Sequence, residues 1–139
     1  MRGGLTTKTQ FLEHRIKVLT LGSRNLLLHA TRLWIEAVST MLWTLSFKTA
    51  CHRYNSMDMD EDRKTPEQKF SGVEFQNFPT VYDTWGCPVF ILEAPLQVVP
   101  AGLPKWKPRE RTGLYLGHSP FNAGSVALLL NTRTGHASH

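Results

Sequence analysis

Residues 85–92 read WGCPVFIL, residues 103–109 read LPKWKPR, and residues 113–119 read GLYLGHS. The first block is an apolar run with the length and alternation of a β-strand, and the third is a strand flanked by glycines. Between them lies a basic loop in which Pro104 and Pro108 favour an extended backbone. This order predicts a small β-structure in the C-terminal half of the chain.

The rest of that half carries further strand and turn signals. Strands are predicted at residues 85–93, 111–118 and 124–130. Residues 131–135 (NTRTG) predict a hairpin turn with its glycine in the left-handed conformation. Because another strand is expected where the chain stops at His139, we expect the β-structure to be incomplete.

The N-terminal half has the period of helices. Apolar residues recur at helical spacing from Thr9 to Ala30, and residues 1–8 are expected to fray. A second helix is predicted at about residues 33–53, joined to the first by a tight link around Thr31. Helices joined so closely are expected to pack through their apolar stripes.

A short third helix is predicted after a charged loop at residues 55–64. Thr65 is expected to cap it, Pro66 to occupy its first turn, and Gln68 to complete a capping box. Gly72 is expected to end it.

Composition favours a folded, basic protein. The 139 residues are 41% hydrophobic and 19% charged, with a formal net charge of +5, which allows one ordinary domain or two small ones. The positive charge favours anionic partners, nucleic acid first and membrane surfaces second, although it can serve solubility alone. Two cysteines and no signal peptide favour a reduced intracellular compartment, nuclear or cytoplasmic.

The N-terminus leaves one alternative open. Its first 35 residues hold six Lys/Arg against one acid, Glu13, which is typical of a basic amphipathic helix and also of a transit peptide. The longest mostly apolar stretch, residues 37–47, is too short and too polar to span a bilayer. We therefore expect no membrane partner.

The three C-terminal blocks resemble the segment that follows the integrase core in copia-type retrotransposon Pol polyproteins. In that family an F/W-G-C-P strand is followed by a K-x-x-P-R loop and by a strand that ends in L-G-x-S. The same motifs stand here at residues 85–88, 105–109 and 116–119. The resemblance covers about residues 9–139 and is strongest at 85–135.

The N-terminal half resembles the end of that integrase core. Residues 26–30 (LLLHA) are similar to the family's L-L-H-A, residues 34–38 (WIEAV) to its W-x-E-A-V, and residues 65–70 (TPEQKF) to its T-P-x-E/Q-x-F/W. Glu13 matches the third acid of the family's metal-binding D,D,E triad.

The resemblance implies an α+β fold: an N-terminal helical pair and a short helix, followed by a small, incomplete SH3-like β-barrel. Residues 1–78 would resemble the C-terminal part of an RNase H-like integrase core, and residues 79–139 would form the truncated barrel. In an intact core the apolar face of the helices covers the sheet, so here it must pack within the chain or on another chain. The side chains concerned are Leu12, Ile16, Trp34 and Met41. We therefore expect marginal stability and self-association through the helix face or the barrel edge.

The same resemblance implies that the chain has no catalysis of its own. The intact family uses Mg²⁺, and phosphoryl transfer by its mechanism needs two metal ions held by all three acids. The two Asp residues lie upstream in the family, where this chain has no length to supply them. We therefore expect no cofactor and no metal site. Glu13 is then an inactive surface acid, expected to pair with Lys17 one helical turn later.

The basic loop is the candidate nucleic-acid site. Four cations within seven residues can neutralise phosphates while a Trp between them stacks on a base of DNA or RNA. The candidate residues are Lys105, Trp106, Lys107, Arg109 and Arg111. The alternative is a structural loop whose Trp packs on the barrel and whose charges are solvated.

Two functions therefore stay open. The chain is either a truncated retrotransposon Pol fragment with residual nucleic-acid binding, or an interaction module that uses the barrel's loops or its open edge. Cys51 and Cys87 lack the paired spacing of zinc ligands, and Cys87 is expected to be a small buried hydrophobe.

Overall fold

The computed structural model describes residues 3–73, 83–92, 106, 108–119, 121–122 and 126–139. The chain divides into two compact units, Met1–Tyr82 and Asp83–His139. The first is helical and the second is an antiparallel sheet, which confirms the predicted mixed α+β class. The expected boundary between residues 78 and 79 lies outside the described residues. None of the described helices has the length and apolar character needed to cross a membrane.

The first helix, α1 (Gly3–Leu33), is longer at both ends than predicted. Residues 3–8 are helical rather than frayed, and Thr31 lies within the helix instead of in a link. Gly22 lies within α1 without interrupting it, at a point where a Cβ would be 3.6 Å from the Cβ of Ala50, an ordinary van der Waals contact.

The predicted second helix, residues 33–53, is wrong in nearly its first half, since α1 ends at Leu33 and the next α-helix begins at Trp43. A short 3-10 helix spans Thr40–Leu42, and α2 spans Trp43–Met57. Ser39 ends this break as the cap of the 3-10 helix, where its backbone is extended and its side chain accepts a hydrogen bond from the Met41 N–H at 3.2 Å. Serine competes with the helix in this way at caps and turns.

The two long helices are antiparallel and meet through small residues. The hydroxyls of Ser23 and Ser46 are 2.7 Å apart and buried. Ala30 and Ala50 are also buried. Small side chains let the two backbones approach closely, but they bury little apolar area.

The predicted capping box of α3 (Pro66–Ser71) is confirmed. The Thr65 hydroxyl accepts from the Gln68 N–H at 3.3 Å, and the Gln68 side chain accepts from the Thr65 N–H at 2.9 Å. Gly72 ends the helix with φ +69°. The loop before it starts at Asp58 rather than at residue 55, since α2 runs to Met57.

The second unit is a four-stranded antiparallel sheet in the order β1-β2-β3-β4. Its strands are β1 (Pro88–Leu92), β2 (Glu110–His118), β3 (Ala127–Asn131) and β4 (Ala137–Ser138). The predicted hairpin is confirmed: the Asn131 carbonyl accepts from the Gly135 N–H at 2.8 Å, and Gly135 has φ +70°. An open sheet of this kind is consistent with an incomplete barrel.

The start of the predicted first strand is instead a β-turn. The Cys87 N–H donates to the Thr84 carbonyl at 2.9 Å, and Gly86 between them has φ +81°, the value that a type II turn requires at its third position. The turn directs Trp85 into the core, where it is 1% exposed and its Nε1–H donates to the Leu116 carbonyl at 3.0 Å. Among the described residues of this unit, Leu114, Leu116 and Leu130 are the other large side chains that are fully buried.

Candidate nucleic-acid interface

The basic loop leads directly into β2, one of the two central strands of the sheet. Glu110 lies opposite Leu92 and Arg111 lies opposite Ile91 in the β1–β2 register. Arg109 is exposed and Arg111 is half-buried. This pairing holds the end of the loop in place, while Lys105 and Lys107 lie outside the described residues.

Trp106 has 92% of its surface exposed. Its ring therefore does not pack on the sheet. The structural-loop alternative requires such packing, so the exposure of Trp106 disfavours it. The other tryptophan of this unit, Trp85, is almost fully buried. The two tryptophans therefore differ in their surroundings: Trp85 fills the core, and Trp106 presents its indole ring to solvent.

Two phenylalanines of the same unit were not singled out from the sequence. Phe90 is 73% exposed on β1 and Phe121 is 86% exposed after β2. Alternation places Phe90 on one face of β1 and Val89 and Ile91 on the other, but it does not indicate which face is exposed to solvent. Nothing in the sequence around Phe121 indicates its exposure.

The charge of the sheet unit is modestly positive, with five Lys/Arg and three Asp/Glu in residues 83–139. Four of the five cations stand in the stretch 105–111. Glu110 lies between Arg109 and Arg111 in sequence, and strand alternation turns it to the opposite side of β2 from Arg111. Positive charge is therefore concentrated at one point of the chain.

Neither cysteine is an activated nucleophile. Burial raises the pKa of the Cys51 thiol. Burial, and secondly the negative charge of Asp83, raise the pKa of the Cys87 thiol, while a backbone hydrogen bond opposes them. Both residues are half-buried, so Cys87 is less buried than predicted. Because their pKa values are raised, both thiols stay protonated near neutral pH.

Glu13 lies exposed on α1. The expected ion pair with Lys17 is not formed, since no charge contact within 4.0 Å joins these two described residues, whereas Lys69 does pair with Asp60 and Asp62. Within the described ranges, no three His, Cys, Asp or Glu side chains converge so that they could hold a metal ion.

A second polar cluster lies in a cleft between α2 and α3. His52 Nδ1 is 3.0 Å from the Ser56 Oγ, which donates to a Glu67 carboxylate oxygen at 3.2 Å. A nucleophilic serine donates its proton to the histidine. Here Ser56 donates to the acid instead, so the chain of contacts links two helices without activating the hydroxyl.

Comparisons with protein-family models, with curated proteins and with solved structures found no match to this chain. The resemblance to copia-type Pol polyproteins therefore rests on the sequence motifs and stays a prediction.

Proposed function

We propose that this chain is a segment of a copia-type retrotransposon Pol polyprotein, spanning the end of the integrase core and the SH3-like domain that follows. In this proposal it catalyses no phosphoryl transfer by itself and binds DNA or RNA through the loop at residues 105–111. The observation that carries the proposal is the exposure of Trp106, at 92%, within the densest group of cations in the chain.

The physical case rests on stacking together with charge. An exposed indole forgoes the roughly 1.5–3 kcal/mol that burial of a large apolar side chain provides, and an unpaired base can cover it. Base–aromatic stacking contributes about 1–3 kcal/mol per base. The neighbouring cations supply a separate, salt-dependent attraction to phosphates. A base must be unpaired to stack on Trp106, so single strands fit this site better than duplexes.

The absence of catalysis is part of the proposal. Only Glu13 matches an acid of the family's triad, and one carboxylate cannot clamp two metal ions. Purified protein is expected to leave labelled DNA intact in Mg²⁺ and in Mn²⁺. Metal-dependent cleavage or strand transfer would contradict this part.

Salt-dependent titration tests the binding. Fluorescence anisotropy of labelled single-stranded oligonucleotides would be measured across several salt concentrations. If all four loop cations contact phosphates, the slope of log K against log salt should be about −3. Reversing the loop charges to Glu should abolish most of that slope. The matched control is Arg133→Glu, an exposed cation in the β3–β4 turn. Binding that survives charge reversal would discard the site.

The interaction module is the second candidate, and one observation favours it. β1 is an edge strand of the described sheet, and Phe90 on it is 73% exposed. Edge strands can pair with an added strand of a partner. Phe90→Ser should weaken such a peptide complex and leave the nucleic-acid affinity unchanged, and the opposite result would reject this candidate.

A further inference from the structure

We draw no further inference here: the strongest candidate, the groove between α1 and α2 that Val18, Leu19 and Met57 line together with Arg53 and Asp58, carries charges of opposite sign that select no class of ligand, and nothing in the structure shows what covers it.

Discussion

The sheet unit and the helical unit bury different kinds of side chain. The sheet core holds Trp85 and the large leucines of its two central strands. The seam between α1 and α2 is built from Ala50, Ser23 and Ser46. The sheet therefore gains stability from apolar area, whereas the helices gain close backbone approach and leave large apolar side chains exposed.

This difference indicates which unit depends on partners. Burying one large apolar side chain contributes roughly 1.5–3 kcal/mol, and an alanine contributes far less. The sheet unit can thus keep its core while it exposes the aromatic rings of Phe90, Trp106 and Phe121. The helical unit lacks comparable burial, so covering its exposed face should stabilise it appreciably.

The largest expected effect comes from the core tryptophan. Trp85→Ala should destabilise the sheet unit by about 3–5 kcal/mol, because it removes a fully buried ring and its hydrogen bond. Trp106→Ala should change stability by less than about 0.5 kcal/mol, as exposed substitutions usually do. Chemical denaturation measures both. Similar losses for the two variants would erase the contrast between the tryptophans.

The next largest loss of stability is expected from the buried pair of hydroxyls in the helical unit. Ser46→Ala leaves the buried Ser23 hydroxyl without its partner and should cost about 1–3 kcal/mol. Because removing both partners leaves no orphaned group, Ser23→Ala with Ser46→Ala should cost less than the sum of the single variants. Thermal unfolding followed by circular dichroism measures the cycle. Strict additivity would show that the pair does not hold the helices together.

A smaller loss of stability is expected from removing the cap of α3. Thr65→Ala removes the side-chain acceptor and should cost about 1 kcal/mol. Thr65→Ser keeps the acceptor and serves as the matched control. Amide hydrogen exchange at Gln68 should accelerate in the alanine variant alone. Equal exchange in the two variants would mean that the capping box contributes no local stability.

The smallest effect concerns the thiols. Their raised pKa values mean that the stability contributed by the neutral thiols is fully present below the unfolded pKa, and it is lost as pH rises through the folded pKa. Alkylation of Cys51 and Cys87 at mildly alkaline pH should be slower in native than in urea-unfolded protein. Single Cys→Ser variants assign each rate. Native rates equal to unfolded rates would contradict the burial of these thiols.

Local chemistry made some elements predictable from the sequence and long-range packing decided the rest. The capping box at Thr65 and the turn glycine Gly135 were predicted because each depends on a few adjacent residues. The break at residues 34–39 was missed, because the helical period of the apolar residues continues through it. The early start of α1 was missed because Gly3 and Gly4 have low helix propensity.

The candidate site was predictable only in part. A basic loop around a tryptophan is visible in the sequence, but its two possible roles differ in the burial of Trp106, which only the structure provides. Which face of β1 lies open, and therefore the exposure of Phe90, depends on what covers the sheet.

Intrinsic fluorescence tests the central claim most directly. A variant that keeps Trp106 and replaces Trp34, Trp43 and Trp85 with Phe would isolate the signal but would weaken the core. Wild-type protein and Trp106→Phe are therefore compared as single-stranded oligonucleotide is added at low salt. The account predicts saturable quenching of the wild type that added salt reverses, and almost none in Trp106→Phe. Equal quenching in both proteins, or none in either, would contradict a nucleic-acid site built on Trp106.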